Sequence, residues 1–127
     1  MAFTTFKGKV IEGNKIGREL GFPTANISTS DILPEKGVYV AKIQVKGNFF
    51  YGILNIGTRP TLHLTELSIE VHIFNFVEDI YNQDILITPL HFIRNEMMFD
   101  SINTLKMQME KDKCFTENFI SSYNPTN

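Results

Sequence analysis

The sequence predicts an α+β domain that is dominated by β structure and closed into a small barrel. Between residues 6 and 93, short runs rich in Val, Ile, Phe and Tyr alternate with glycine or polar clusters, as antiparallel strands do. After residue 98 the apolar residues recur at spacings of three and four, which is typical of a helix. A barrel is favoured over an open sheet because closure removes exposed strand edges.

Five strands are predicted from these runs, and a sixth is left open. They cover Phe6–Ile11, Gly37–Val45, Asn48–Ile56, Ser68–Phe76 and Asp84–Phe92. Residues 46–48 read KGN and lie between two runs, and Gly47 can take a positive φ, so a tight hairpin is expected there. The barrel is therefore expected at about residues 5–93.

A helical segment is expected at about residues 100–123, with Asp100 or Ser101 as its cap. Its barrel-facing side is predicted to carry Ile102, Leu105 and Met109. A second short turn is predicted after Thr116, ahead of further apolar residues. Three methionines are interpreted as packing residues rather than cofactor ligands: Met98, Met107 and Met109.

Size and charge restrict the function classes. With 127 residues, of which 43% are hydrophobic, the chain is most simply one domain with its own core. A net charge of −2 provides no basic field for nucleic acid or a membrane surface, so a small molecule is the expected partner. Cys114 is the only cysteine, and the sequence has neither a secretory signal nor an apolar run of the ~20 residues that a membrane span needs. We expect a soluble cytoplasmic protein.

Residues 17–27, GRELGFPTANI, predict a rigid loop with exposed backbone amides. Gly17 and Gly21 allow close approach of a ligand, and Pro23 stiffens the turn. Successive exposed N–H groups attract phosphate oxygens, and Arg18 adds a flanking positive charge.

Thr24 and Asn26 follow in the same stretch and are two residues apart. In an extended segment their side chains point the same way, and their neutral oxygens suit Mg²⁺ when phosphates and water complete its shell. The alternative from spacing alone is that both residues cap turns without any ligand.

Residues 68–76, SIEVHIFNF, form the second candidate constellation. In an extended strand the residues Ile69, Val71 and Ile73 share one face, while Glu70, His72 and Phe74 share the other. Glu70 is then either a solvated carboxylate or a base that takes a proton from an attacking hydroxyl. A third segment, NIGTRPT at residues 55–61, is interpreted as a loop carrying Arg59, or as a plain hairpin connection.

Taken in order along nearly the whole chain, these motifs resemble those of riboflavin kinases. The resemblance rests on GRELGFPTANI, LPEKGVYVAKI, NIGTRPT, IEVHIFNF, DIYNQ and FIRNEMMFDSINTLKMQMEKD. It implies a six-stranded antiparallel Greek-key barrel with a C-terminal helix packed on it. It also implies transfer of the γ-phosphoryl group of ATP, with Mg²⁺ or another divalent cation, to the ribityl 5′-hydroxyl of riboflavin, giving FMN and ADP.

The resemblance also implies roles for single residues. Thr24 and Asn26 would hold the Mg²⁺–nucleotide, and Glu70 would be the catalytic base. The remaining nucleotide-binding and flavin-binding residues that it implies are Gly17, Arg18, Gly21, Pro23 and Tyr81 for the nucleotide, and Arg94 and Phe99, with Glu70, for the flavin. Three positions depart from the usual family pattern, in which histidine, aspartate and glycine are frequent: Glu12, Asn75 and Asn82.

Many bacterial riboflavin kinases are fused behind an adenylyltransferase domain, whose HxGH motif is absent from this sequence. A stand-alone kinase and a C-terminal piece of a longer enzyme therefore both stay open. A noncatalytic flavin- or nucleotide-binding barrel is the alternative of a different class. A third reading, a barrel for single-stranded nucleic acid, is disfavoured by the acidic balance, because such grooves need a positive track.

Overall fold

In the part of the chain that the structure describes, six antiparallel strands form a closed barrel and a C-terminal helix packs on its outside. The computed structural model describes residues 3–14, 21–60, 65–76 and 78–123. The strands, in chain order, are β1 (Phe6–Asn14), β2 (Thr24–Ser28), β3 (Gly37–Val45), β4 (Asn48–Pro60), β5 (Thr65–Ile73) and β6 (Asp84–Arg94). Around the barrel the order is β1-β2-β5-β4-β3-β6, and β6 pairs with β1 to complete the ring. The predicted barrel with a C-terminal helix is confirmed.

The barrel interior is filled by aliphatic and aromatic side chains that alternate with outward-facing residues. On β5, Ile69, Val71 and Ile73 are all buried, whereas Glu70 and His72 between them are half-exposed. The core cluster is completed by residues of the other strands, including Phe6, Val10, Ile27, Tyr39, Ile43, Leu54, Ile56, Ile85 and Ile87. The face assignment made for β5 from its alternation is therefore correct.

The hairpin between β3 and β4 has the predicted two-residue loop. Lys46 and Gly47 both have positive φ, at 51° and 82°, as a type I′ turn requires, and Val45 pairs with Asn48. Nine Cα pairs join the two strands. The twist of this turn matches that of the strands, so local sequence sets their register.

Three strand predictions were wrong. Residues 17–27 were interpreted as a rigid loop because of their glycines and proline, but Thr24–Ser28 form β2, which pairs with both β1 and β5. Residues 55–60, within the segment interpreted as a loop, continue β4 instead, and six Cα pairs with β5 hold them extended despite Gly57 and Pro60. Conversely, β5 ends at Ile73, since Phe74 and Asn75 form a turn. In the first two cases pairing between distant segments overrides local propensity, whereas in the third a local turn ends the strand.

The helix α1 runs without interruption over Ile102–Ser122, so the predicted second turn after Thr116 does not exist. Ser101 is the N-cap, and its hydroxyl accepts a hydrogen bond from the Thr104 amide at 3.2 Å. Thr116 is fully buried, and its hydroxyl donates to the Asp112 carbonyl at 2.7 Å. This bond satisfies the Thr116 hydroxyl, so a polar residue can be buried within the helix.

Part of the predicted packing face was also wrong. Met98 and Met107 are 97% and 58% exposed, and Ile102 is 55% exposed, so none of them is a packing residue. Leu105 and Met109 are half-buried and face the barrel. Met98 lies in the segment between β6 and α1 and points outward. The helical spacing rule applies only to residues within a helix and so does not predict its orientation.

Candidate functional site

A row of polar side chains crosses the outer face of three neighbouring strands. In the register of β2 with β5, Asn26 lies opposite Glu70, and in that of β5 with β4, Glu70 lies opposite Asn55. Directly opposed residues of antiparallel strands have Cβ atoms roughly 4.5–5.5 Å apart on the same face. Thr24 is two residues from Asn26 and therefore shares this face.

Thr24 and Glu70 are in direct contact. The Thr24 hydroxyl donates a hydrogen bond to Oε1 of Glu70 at 2.9 Å, and both side chains are half-buried. The structure thus brings Thr24 and Asn26 together with Glu70, which follows them by 44 or more residues in the chain. A hydroxyl, an amide and a carboxylate meet on one surface.

A cavity of about 300 Å³ lies above this row, between the barrel and α1. Its barrel side combines the polar residues Thr24, Asn55, Glu70 and His72 with the apolar residues Val38 and Ile53. Its other side carries the apolar residues Phe22, Met97, Phe99, Leu105 and Met109 together with Glu96 and Asp112. The cavity therefore offers hydrogen-bonding groups along its barrel side and an apolar surface for a flat group next to the helix.

Arg94, at the end of β6, lines the cavity and is held by a residue of α1. Its Nε donates to both carboxylate oxygens of Asp112, at 3.0 and 3.2 Å, and Nη2 donates to Oδ2 at 2.8 Å. Gln108 donates a further hydrogen bond to Asp112 at 2.9 Å. The Asp112 side chain is only 6% exposed and that of Arg94 18%, so this ion pair is largely withdrawn from water.

The segment from Asn95 to Ser101 covers the cavity and is fastened to β4. The carboxylate of Glu96 accepts a hydrogen bond from the Thr58 amide at 3.0 Å. It lies directly on Gly57, where an added Cβ would stand 2.5 Å from Oε2 of Glu96. Gly57 thus leaves space for the carboxylate, and the attachment positions Met97 and Phe99 over the cavity.

Of the predicted nucleotide-binding residues, Gly21 and Pro23 lie in the stretch that leads to Thr24, and Tyr81 lies in a separate loop. Gly21 is exposed with a φ of 87°, and Pro23 is exposed next to Thr24. Tyr81 is 63% exposed and does not line the 300 Å³ cavity. The predictions for Gly17 and Arg18 lie outside the described residues.

The loop that carries Tyr81 is tied to β1. The Asn82 amide donates to the Val10 carbonyl at 2.7 Å, and the Val10 amide donates to the Gln83 carbonyl at 2.9 Å. Asn82 has a φ of 67°, a conformation that glycine and asparagine adopt more readily than other residues. Asparagine therefore fits at the position where the resemblance leads one to expect glycine. Asn75, with a φ of 58°, is a similar case, because asparagine and aspartate both tolerate this region.

Several residues of the site were not predicted from the sequence. Asn55 lies where the predicted strand Asn48–Ile56 overlaps the segment interpreted as a loop, and only its register opposite Glu70 places it here. Glu96 and Asp112 look like ordinary charged residues of a connecting segment and a helix. The one available signal was the helical spacing of Gln108 and Asp112, which indicates that they share a face.

Burial acts on His72, the neighbour of Glu70 on the outer face of β5. Burial lowers the pKa of the His72 imidazole below its ordinary value of 6.5, a hydrogen bond with the Pro23 carbonyl opposes this, and the charge of Lys113 lowers the pKa further. The neutral ring is therefore favoured near neutral pH.

Among the described residues, no group of three or more His, Cys, Asp and Glu side chains is arranged to hold a metal ion. In the part of the chain that the structure describes, no helix is long and apolar enough to cross a membrane.

Comparison with known proteins identifies the family. The family model described as flavokinase, riboflavin kinase, matches residues 2–120. A bifunctional riboflavin kinase/FMN adenylyltransferase of Haemophilus influenzae is 45% identical over 117 residues, which are 91% of this chain and 38% of that protein. The chain spans less than two fifths of that relative's length.

Solved structures show the same barrel. A protein described as a macrolide-efflux protein from Streptococcus pneumoniae aligns with a TM-score of 0.83 and 33% identity, over 91% of this chain and 39% of that one. A riboflavin kinase from Trypanosoma brucei aligns with a TM-score of 0.61 and 22% identity, over 93% of this chain and 80% of that one. With the family match over residues 2–120, these findings show that the chain belongs to the riboflavin kinase family.

Proposed function

We propose that this chain transfers the γ-phosphoryl group of Mg-ATP to the ribityl 5′-hydroxyl of riboflavin, giving FMN and ADP. The observation that carries the proposal is the contact of Thr24 with Glu70 on the polar side of the cavity, 2.9 Å between Oγ1 and Oε1. Membership of the riboflavin kinase family supports it. Phosphoryl transfer needs mainly positioning and charge neutralisation; the fixed Thr24–Glu70 pair supports the positioning, and a divalent cation would supply the neutralisation.

The cavity suits a molecule with a flat aromatic part and a hydroxylated chain. Met97, Phe99, Leu105 and Met109 provide the apolar side for the flavin ring, and the polar row provides partners for the ribityl hydroxyls. Arg94 also lines the cavity and is held in a fixed direction by Asp112. The terminal hydroxyl of the ribityl chain would then lie at Glu70.

Glu70 is proposed as the general base. Its carboxylate accepts the proton of the 5′-hydroxyl while the hydroxyl oxygen forms a bond to the γ-phosphorus and the bond from phosphorus to the β–γ bridging oxygen breaks. ADP leaves with that electron pair, and the proton passes from Glu70 to solvent. The hydrogen bond from Thr24 holds Oε1 in place, so the base is oriented before substrate binds.

The donor set at the polar row fits a divalent cation. Thr24 and Asn26 present hydroxyl and amide oxygens on the same face as Glu70, and hard oxygen ligands are those that Mg²⁺ accepts together with phosphate and water. When bound, the ion would neutralise charge on the phosphates. Gly21 and Pro23, just before Thr24, and Tyr81 in the loop beside β1 are proposed to contact the nucleotide, as are Gly17 and Arg18.

The test is formation of FMN, followed by chromatography, from riboflavin, ATP and Mg²⁺. Glu70→Gln is expected to lower kcat about 10²- to 10⁴-fold. It keeps an oxygen that accepts the Thr24 hydrogen bond, so riboflavin binding, measured by quenching of flavin fluorescence, should remain. Glu66→Gln, an exposed carboxylate on the same strand, is the matched control and should behave like the wild type.

Two results would overturn the proposal. Absence of FMN above a protein-free control would reject the activity, and tight flavin binding without ADP formation would instead support a noncatalytic binding barrel. Equal rates for Glu70→Gln and the wild type would remove Glu70 from the role of base. For the metal, Asn26→Ala is expected to raise the Mg²⁺ concentration needed for half-maximal rate, and an unchanged requirement would contradict its assignment.

A further inference from the structure

The backbone that leads into Thr24 has little support from its neighbour β5. The register of β2 with β5 contains two Cα pairs, Ala25 with Val71 and Asn26 with Glu70, whereas β5 and β4 share nine. Pro23 lacks an N–H group and cannot donate to the ladder. On the β5 side, the segment that presents Thr24 therefore depends on side-chain contacts.

His72 supplies one of these contacts. Its Nδ1 lies 2.7 Å from the Pro23 carbonyl oxygen. Since a carbonyl only accepts, Nδ1 carries the proton and donates, which in the neutral ring leaves Nε2 as an acceptor. His72 follows Val71, the last β5 residue paired with β2. Its side chain therefore binds the Pro23 backbone just beyond the end of the backbone pairing.

The imidazole is held in this orientation by aromatic neighbours. Phe22 and Phe74 both contact it edge-on, with ring centroids 5.8 and 5.4 Å away and interplanar angles of 66°. Phe22 is buried, at 6% exposure. The ring therefore has few alternative positions, and the hydrogen bond to Pro23 is directional rather than incidental.

Two adjacent side chains on the outer face of β5 thus fasten two consecutive residues. His72 binds the Pro23 carbonyl, and Glu70 binds the Thr24 hydroxyl. The second bond uses the carboxylate that is proposed to take a proton. Only the His72 contact is separate from the groups proposed for catalysis.

We propose that His72 is a positioning residue: its Nδ1–H fastens the Pro23 carbonyl to β5 and thereby sets where the Thr24 hydroxyl stands relative to Glu70. This inference rests on the proposed function of the cavity. His72 also separates that cavity from a second one, of about 540 Å³, which is lined by Gly21, Pro23 and Lys113 among others. It therefore stands between the flavin side and the glycine-containing loop proposed for the nucleotide.

The competing explanation is that His72 only packs between Phe22 and Phe74. Two substitutions distinguish these roles. His72→Phe keeps a ring of similar size but has no donor. His72→Asn loses the ring but places an amide nitrogen at the same number of bonds from the backbone as Nδ1, while His72→Gln places it one bond further.

If His72 positions Thr24, the Phe variant should lose about 10- to 100-fold in kcat/KM for ATP, since small displacements at a reacting centre have effects of this size. The Asn variant should regain most of that loss, and the Gln variant should not. His72 also lines the cavity proposed for riboflavin, so the KM for riboflavin is measured in parallel; it should change less than the kcat/KM for ATP in all three, and thermal unfolding confirms that each is folded. Wild-type kinetics in His72→Phe, or equal losses in the Phe and Asn variants, would overturn the inference.

Affinity for Mg-ADP, measured by calorimetry, gives a readout that does not require turnover. It should weaken in the Phe variant and recover in the Asn variant. If the wild type binds Mg-ADP but makes no FMN, the proposed function fails, and the binding series still decides the role of His72. If FMN forms and the Phe variant is unaffected in both assays, the positioning role fails while the proposed function stands.

Discussion

The buried ion pair between Arg94 and Asp112 offers a quantitative prediction. It joins the end of β6 to the middle of α1, next to the candidate site, through three hydrogen bonds of 2.8 to 3.2 Å. Asp112→Asn keeps the shape of the side chain and removes its charge. The guanidinium of Arg94, 18% exposed, is then left mostly buried without its counter-charge.

The expected cost follows from that burial. Removing one partner of a buried ion pair typically costs about 3–5 kcal/mol, because an uncompensated charge remains in a poorly solvated place. Arg94 keeps a hydrogen bond to the Asn95 carbonyl at 3.1 Å and some contact with water, so the lower end applies. We expect the free energy of unfolding to fall by about 3 kcal/mol. For a domain of this size the midpoint of thermal unfolding should fall by roughly 10 °C.

Urea denaturation at 25 °C measures the change, with thermal unfolding as a second readout. The matched control is Glu78→Gln, which breaks the exposed pair of Lys46 and Glu78, where the charges are 3.8 Å apart and both side chains are more than half exposed. That change should cost less than about 1 kcal/mol and shrink further with added salt.

A double variant completes the test. Arg94→Met combined with Asp112→Leu replaces both charges by apolar groups of similar volume, and it should recover most of the stability. Because Arg94 lines the cavity, this stable variant should still bind riboflavin less well than the wild type. A loss below about 1 kcal/mol in Asp112→Asn would refute the claim that burial makes this pair strong.

Three further changes test the local structure. Ser101→Ala removes the side chain that accepts an amide hydrogen bond in the first turn of α1, and should lower the free energy of unfolding by about 1 kcal/mol in urea titrations. Gly52→Ala would place a Cβ 2.0 Å from the backbone carbonyl oxygen of His72, so the strands must separate; we expect a loss of about 3 kcal/mol, and stability equal to the wild type would contradict the strand spacing. Burial, aided by the charge of Lys113, lowers the pKa of His72 in the folded state below 6.5. As the pH falls below 6.5, His72 therefore takes up a proton in the unfolded state before it does so in the folded state. Stability should therefore fall as the pH drops from 6.5 through the folded-state pKa, and a His72→Asn variant that keeps the same slope in this window would contradict this.

Local signals predicted the elements whose structure depends on nearby residues. The alternation on β5 placed Glu70 and His72 on the outer face, and KGN predicted the hairpin at Gly47. Of the two residues predicted to cap α1, Asp100 and Ser101, the structure uses Ser101. In all of these cases, residues within a few positions of each other determine the conformation.

The same reasoning failed where distant segments decide the structure. Residues 24–28 contain Ala and Asn and lack apolar alternation, so only their hydrogen bonds with β1 and β5 make them a strand. Residues 55–60 are kept extended by β5 in spite of Gly57 and Pro60. Met98 and Met107 are exposed because the chain turns them away from the barrel, which hydrophobicity alone does not predict.

The amino-acid sequence by itself determined the chemistry available: a carboxylate and an imidazole on one face of β5, and a hydroxyl and an amide two residues apart. The tertiary structure alone decided that these groups meet, since it pairs Asn26 with Glu70, aims the Thr24 hydroxyl at the carboxylate and sets α1 above them. The physical reason is the separation along the chain of the residues that interact. Side-chain alternation is a property of neighbours along the chain, whereas strand order and helix docking follow from burying one core, which no single segment encodes.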